Sequence, residues 1–182
     1  MTTNVLINPQ VPTEDADKVA VIFKGIEEHL GFIPDGLRLY SISPPLLETF
    51  VGTVGYFMSH PELSQELLAM IRYLVSTKSN CSFCMDFNKS ILINLGKTPE
   101  QLQAARENAS NAPLTDSEII LLNIALAAID NPEGVSKSDI EKAQGAGFTE
   151  RNIFDAVVIA SNNKAFTHVL RTFKVEQQGS FA

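Results

Sequence analysis

Basic residues are scarce in this sequence and nowhere clustered. The 14 Lys and Arg are outnumbered by 21 Asp and Glu, giving a formal charge of −7. No local basic face results, so nucleic acid is not an expected partner. Long apolar runs are missing too: none approaches the roughly 18 residues that spanning a bilayer needs, and no membrane is expected as partner. The start, Met1 to Asn4, lacks the basic residues and apolar stretch of a secretory signal, so cytoplasm is the expected compartment. Cysteine stops at 2 and histidine at 3. That excludes a disulfide-scaffolded secreted domain, and it leaves few donors for a four-ligand zinc site. Strand-type alternation is absent apart from Asn4 to Asn8, as are repeats and low-complexity linkers. What remains is 45% apolar and 19% charged, a globular composition, over 182 residues that suit one domain.

Helix signals recur along the whole chain. After an extended N-terminal arm (residues 1–12), Thr13 caps a helix carrying Val19, Phe23 and Ile26 on one face, which Gly31 ends. Ile33-Pro34-Asp35-Gly36 reads as a turn. Pro44-Pro45 opens the next helix, and His60-Pro61 separates it from one carrying Leu63, Leu67, Met70, Ile71 and Leu74. A helix beginning near Cys81 stops at Gly96. Thr98-Pro99-Glu100-Gln101 and Thr115-Asp116-Ser117-Glu118 are capping boxes that open two more. Asp130-Asn131-Pro132 breaks the second of these. A short helix runs from Ser136 to Ala146, and Thr149 caps a long one reaching Phe173. Ile153 to Ala160 is apolar on nearly all sides, which predicts central burial of that helix's first half. Gly145-Ala146-Gly147 has no strand before it, so it reads as a helix C-cap rather than a phosphate loop, and no cofactor is expected. The fold class is all-α, about eight helices in a single domain.

The chemistry concentrates at Cys81-Ser82-Phe83-Cys84, which holds both cysteines. Phe83, Phe87, Ile91 and Leu95 follow at helical spacing, with Ser79-Asn80 as the expected N-cap. The pair then falls in the first helical turn, where free backbone N–H groups and the helix dipole favour a thiolate. Four readings compete. Zinc lacks a second paired motif, since His29, His60 and His168 lie in separate elements. Thioredoxin-type chemistry lacks its βαβ unit. A pair of merely buried small side chains is the bland reading. A dithiol–disulfide site on a helical scaffold fits best, and no metal is expected.

The stretch Leu63 to Leu95, above all Val75-Ser76 and Asn80-Cys81-Ser82-Phe83-Cys84, resembles the carboxymuconolactone decarboxylase-like family. Within it, the chain is most similar to the alkyl hydroperoxidase D-like, peroxidase-related branch. The similarity continues at Leu114 to Glu118, at Gly147 to Glu150 and at Asn152 to Val157, covering most of the chain from about Phe50. The resemblance implies an all-α fold assembled as trimers or hexamers. It also implies a cysteine pair that reduces a peroxide or exchanges with a protein-disulfide partner in antioxidant defence. On that pattern Cys84 is the attacking thiol and Cys81 its partner, whereas the helix dipole alone favours Cys81.

The sequence departs from the family at the proton relay. Ala69 stands at the glutamate position, with Glu66 one turn earlier as the nearest substitute. Phe83 and Asn88 stand where the family carries histidines. Without an acid–base pair, a thiol keeps more of its ordinary pKa and loses a proton donor for the leaving group. His168, together with Asn162, Asn163 and Thr167, is a candidate for presenting polar groups to a pocket, although a structural histidine is the simpler reading. Phe83 doubles as a candidate wall of an apolar pocket, and His60 reads as a turn residue. The leading expectation is a thiol-dependent, peroxidase-like oxidoreductase with a degraded relay. A non-catalytic oligomeric scaffold and a lactone decarboxylase are the alternatives.

Overall fold

The computed structural model describes residues 5–175, and they are helical nearly throughout. The α-helices are α1 (Ala16–Leu30), α2 (Asp35–Tyr40), α3 (Pro44–Met58), α4 (Gln65–Lys78) and α5 (Ser82–Asn94). They continue as α6 (Pro99–Glu107), α7 (Asp116–Asp130), α8 (Lys137–Gly145) and α9 (Glu150–Thr172). Short 3₁₀ turns precede α1, follow α6 and follow α7. Among the described residues there is no strand, and no helix is long and apolar enough to cross a membrane. The suggestion of a strand at Asn4 to Asn8 fails over residues 5–8, while Asn4 lies outside the described residues.

The unexpected helix is α2, at the position where the sequence reads as a turn. Pro34 is its N-cap, and the Leu37 and Arg38 amides donate to the Pro34 carbonyl, so the turn residues become a first helical turn. Thr13 lies in a 3₁₀ turn and Asp15 is the N-cap of α1, whereas several other caps fall where the pattern places them. Gly31, Gly96 and Gly147 hold φ of 79°, 84° and 98°, the left-handed region in which glycine ends a helix without strain. Thr98, Thr115 and Ser136 each close a capping box.

The described residues divide into two compact units. One runs to Ser59 and includes residues 170–175. In it Lys18 pairs with Glu48 at 2.7 Å, and Tyr40 meets Phe50 with ring centroids 5.1 Å apart. Arg38 lies over the Phe23 ring, and the arm is tied down by the Leu6 amide donating to the Phe173 carbonyl at 3.1 Å.

The other unit, His60 to Val169, carries the cysteines. Its centre is α4, in which every residue from Leu67 to Ile71 is fully buried. The expectation that the first half of α9 would be the central element holds only partly. Ile153, Ala156, Ile159 and Ala160 are buried, but Phe154 is 66% exposed. The α9 pattern also hides Asp155, which is buried because His60 Nε2 lies 3.1 Å from its carboxylate. His60 Nδ1 accepts the Glu62 and Leu63 amides, so the ring is the Nε2–H tautomer and donates to Asp155. His60 is thus more than a turn residue: it pins the entry to α4 onto α9.

A second tie fixes the same end of α4. Ser64 is its N-cap, accepting from the Leu67 amide at 3.0 Å, and its hydroxyl donates to the Glu118 carboxylate of the α7 capping box. Burial works against the Glu118 charge, but hydrogen bonds from Ser64 and Thr115 outweigh it and hold the carboxyl below its usual range. These ties fix the N-terminal end of α4, leaving its other end to build the site.

Candidate active site

The chain turns from α4 into α5 through Ser79 to Cys81. Asn80 adopts φ of 50°, a left-handed conformation that asparagine tolerates better than most residues. The Cys81 amide then donates back to the Ser76 carbonyl at 3.2 Å, locking the turn onto the end of α4. The N-cap of α5 is therefore Cys81 itself, not Ser79 or Asn80 as the sequence suggests. Its sulfur takes the role usually played by a serine or threonine hydroxyl, accepting the Cys84 amide at 3.4 Å.

That capping geometry brings the two sulfurs together. Cys81 Sγ and Cys84 Sγ lie 2.8 Å apart, neither in a disulfide, with relative exposures of 4% and 3%. A disulfide bond is about 2.05 Å long, so closure needs well under 1 Å of movement. The Cys84 thiol is pushed up from its ordinary value, chiefly by its hydrogen bond to the Cys81 sulfur, then by burial. The Thr167 hydroxyl, 3.6 Å from Cys84 Sγ, pulls the other way. The Cys81 sulfur thus donates to Cys84 Sγ and accepts the helix-start amide of Cys84.

Behind Cys84 lies a polar layer that crosses three helices. Asn88 Nδ2 donates to the Cys84 carbonyl at 2.8 Å, and Asn88 Oδ1 accepts from Arg72 Nε at 2.9 Å. Asn163 of α9 donates to Ser76 Oγ at 2.9 Å and to the Arg72 carbonyl at 3.2 Å. Thr167, one turn further along α9, supplies the hydroxyl beside Cys84.

Of the residues singled out from sequence, Cys81, Cys84 and Asn88 come together, with Asn163 and Thr167 beside them. Phe83 is buried on α5, its ring stacked on Phe87 at 6.2 Å. Ala69 is fully buried, so no carboxylate occupies the glutamate position. Glu66 stands roughly two helical turns before Arg72 and makes no hydrogen bond or ion pair among the described residues. His168 is exposed, as is Asn162. The residue that sequence reasoning missed is Arg72. It was visible as the one charged side chain inside the apolar run Leu67 to Val75.

The fold has solved counterparts. A peroxidase-related protein from Silicibacter sp. TM1040 superposes with a TM-score of 0.86 at 20% identity, covering 98% of this chain and 94% of that one. The alkylhydroperoxidase AhpD core of a peroxidase-related protein from Ralstonia eutropha JMP134 gives 0.81 at 20% identity, covering 94% and 92%. This chain has the AhpD-like fold. A third neighbour in structure is the debrominase Bmp8, with a TM-score of 0.78 at 20% identity over 98% of this chain and 95% of that one. That protein is also known with one of its cysteines replaced by alanine and 2,3,4-tribromopyrrole bound. No family model and no curated protein matches the sequence. The AhpD-like fold is thus kept with about four residues in five replaced.

Proposed function

We propose that the protein is a thiol-dependent oxidoreductase of antioxidant type, cycling Cys81 and Cys84 between dithiol and disulfide. The observation that carries this is the buried, unbridged pair of thiols at 2.8 Å on the start of α5. The substrate is a peroxide, or a disulfide on a protein partner. The site sits in one AhpD-like domain over residues 1–182, placed in the cytoplasm, where reducing conditions keep such a dithiol ready.

The raised Cys84 thiol and the helix-start amide on Cys81 support roles opposite to those implied by family resemblance. Cys81, which caps the helix, is the attacking thiolate and Cys84 the resolving thiol. Attack on a peroxide breaks the O–O bond, leaving a sulfenic acid on Cys81 and releasing an alcohol that takes up a proton. Once Cys81 no longer carries negative charge, the main cause holding the Cys84 proton is gone. Cys84 then attacks the Cys81 sulfur, water leaves and the disulfide forms. A thiol reductant returns both protons and two electrons.

The test is direct. Peroxide should protect both cysteines from alkylation, and dithiothreitol should expose them again, read by intact mass. Two thiols still alkylated after peroxide would remove the redox reading and leave the scaffold reading in its place. A second electrophile belongs in the same assay because Bmp8 shares the fold. With a brominated pyrrole, Cys81 takes the halogen and the ring carbon takes the Cys84 proton. Cys84 then displaces bromide as the disulfide closes. Bromide release without peroxide reduction would move the substrate class from peroxides to aryl halides.

A homo-oligomer, a trimer or hexamer, is part of this proposal. Large apolar side chains stay exposed on the isolated chain: Leu46, Val54, Tyr56 and Met58 on α3, and Phe154 on α9. Light scattering at micromolar concentration should show an assembly of three or six chains, and a monomer would contradict this.

A further inference from the structure

Arg72 is a cation enclosed in protein without a counter-ion. Its guanidinium is packed closely enough that burial alone lowers its pKa to about 10. Among the described residues no carboxylate pairs with it. Its single side-chain hydrogen bond goes from Nε to the neutral Asn88 amide. The terminal Nη groups, four N–H donors, have no protein acceptor among the described residues, yet the residue keeps partial exposure to solvent. Enclosing an unpaired charge is costly, and proteins pair or replace such groups unless a ligand completes them.

The surroundings are built to hold the group rather than to neutralise it. Asn88 fixes the Nε edge and is itself fixed by the Cys84 carbonyl, while Asn163 and Ser76 hold the Arg72 main-chain carbonyl. The free edge is thereby left as a planar pair of donors, the shape that matches a carboxylate.

We propose that Arg72 is an anion-binding residue that receives the carboxylate of a small organic acid, one hydrogen-bonded residue away from Cys84. The site needs no redox chemistry, so its test is separate from that of the dithiol. The probe is sodium benzoate, titrated into the reduced full-length protein at constant ionic strength with chloride as the balancing anion. Benzamide, which has the same shape without the charge, is the control.

Calorimetry should show saturable benzoate binding, with benzamide weaker by about ten- to a hundredfold. Arg72→Gln, which keeps a donor for Asn88 without the charge, should weaken benzoate by the same factor. Arg72→Lys should retain more of the affinity. The proposal is overturned if benzoate does not bind saturably, if benzamide binds equally well, or if folded Arg72→Gln binds benzoate like wild type. Binding of inorganic phosphate in preference to benzoate would also overturn it, replacing the carboxylate by a phosphate group. Should Arg72→Gln fail to fold, the comparison of benzoate with benzamide on wild type still decides the matter.

Discussion

Replacing either cysteine by serine is expected to reduce turnover of peroxide with dithiothreitol to the uncatalysed background, a loss on the order of a thousandfold or more. The two variants should fail at different steps. Cys81→Ser removes the sulfur that caps α5 and accepts the Cys84 amide, so no first oxidation occurs. Cys84→Ser keeps that sulfur, which should still take up one oxygen atom per chain and stop there, visible by intact mass and trapped by a sulfenic-acid reagent. The serine hydroxyl neither attacks a sulfenic acid nor forms a disulfide. If Cys84→Ser proves inert and Cys81→Ser is the variant that gains oxygen, the order of the two sulfurs is reversed and the roles are those the resemblance implies.

The order matters because both cysteines look alike in burial. What separates them is a single helical turn of backbone. Cys81 stands outside the helix with extended geometry and receives an N–H, while Cys84 stands within it and its thiol is pushed up by the Cys81 sulfur and by burial. Thr167 offers a partial counterweight from α9 by hydrogen-bonding the Cys84 sulfur. Its hydroxyl is therefore placed to assist Cys84 when that sulfur takes charge, after Cys81 has been oxidised.

Most of the scaffold was legible in the sequence, for physical reasons. Gly31, Gly96 and Gly147 mark helix ends because their backbones need positive φ, and the capping boxes at Thr98, Thr115 and Ser136 mark starts because free N–H groups need acceptors. These signals are local, and local signals survive in a single sequence. The cysteine pair was legible for the same reason. What escaped depends on contacts between residues distant in sequence. Asp155 resembles part of a polar helix edge, but it is buried by His60. Asn88 resembles a lost histidine, but it holds Arg72. Sequence alone sets Cys81 within the first turn, because Ser79 and Asn80 are good capping residues. The left-handed Asn80 backbone instead passes the cap to the sulfur. His168 is a pocket candidate by sequence, yet it lies on the exposed side of α9, and the neighbouring Thr167 faces the sulfurs instead.

The pH dependence of oxidation is the second large effect. Ala69 has no acid or base function, Phe83 has none, and Asn88 does not titrate, so none of these three positions supplies a base to the sulfurs. The first step then draws only on the thiolate fraction that solution pH provides. Its single-turnover rate, followed by acid quench and intact mass, should rise about tenfold per pH unit above neutrality until the attacking thiol is ionised. At neutral pH the rate should lie about 10² to 10⁴-fold below that of a thiol served by a general acid–base pair. The raised Cys84 thiol does not flatten this slope, because its proton stays in place through the first step and is released only after Cys81 is oxidised. Asn88→His alone should not restore a relay. The imidazole would stand beside the Arg72 cation, which disfavours its protonated form, and no carboxylate at Ala69 would offset that charge. A flat profile between pH 6 and pH 8 in wild type would show instead that the protein supplies its own base. Glu66→Gln would then be the first variant to measure, and a slope that appears only in that variant would make Glu66 the missing relay.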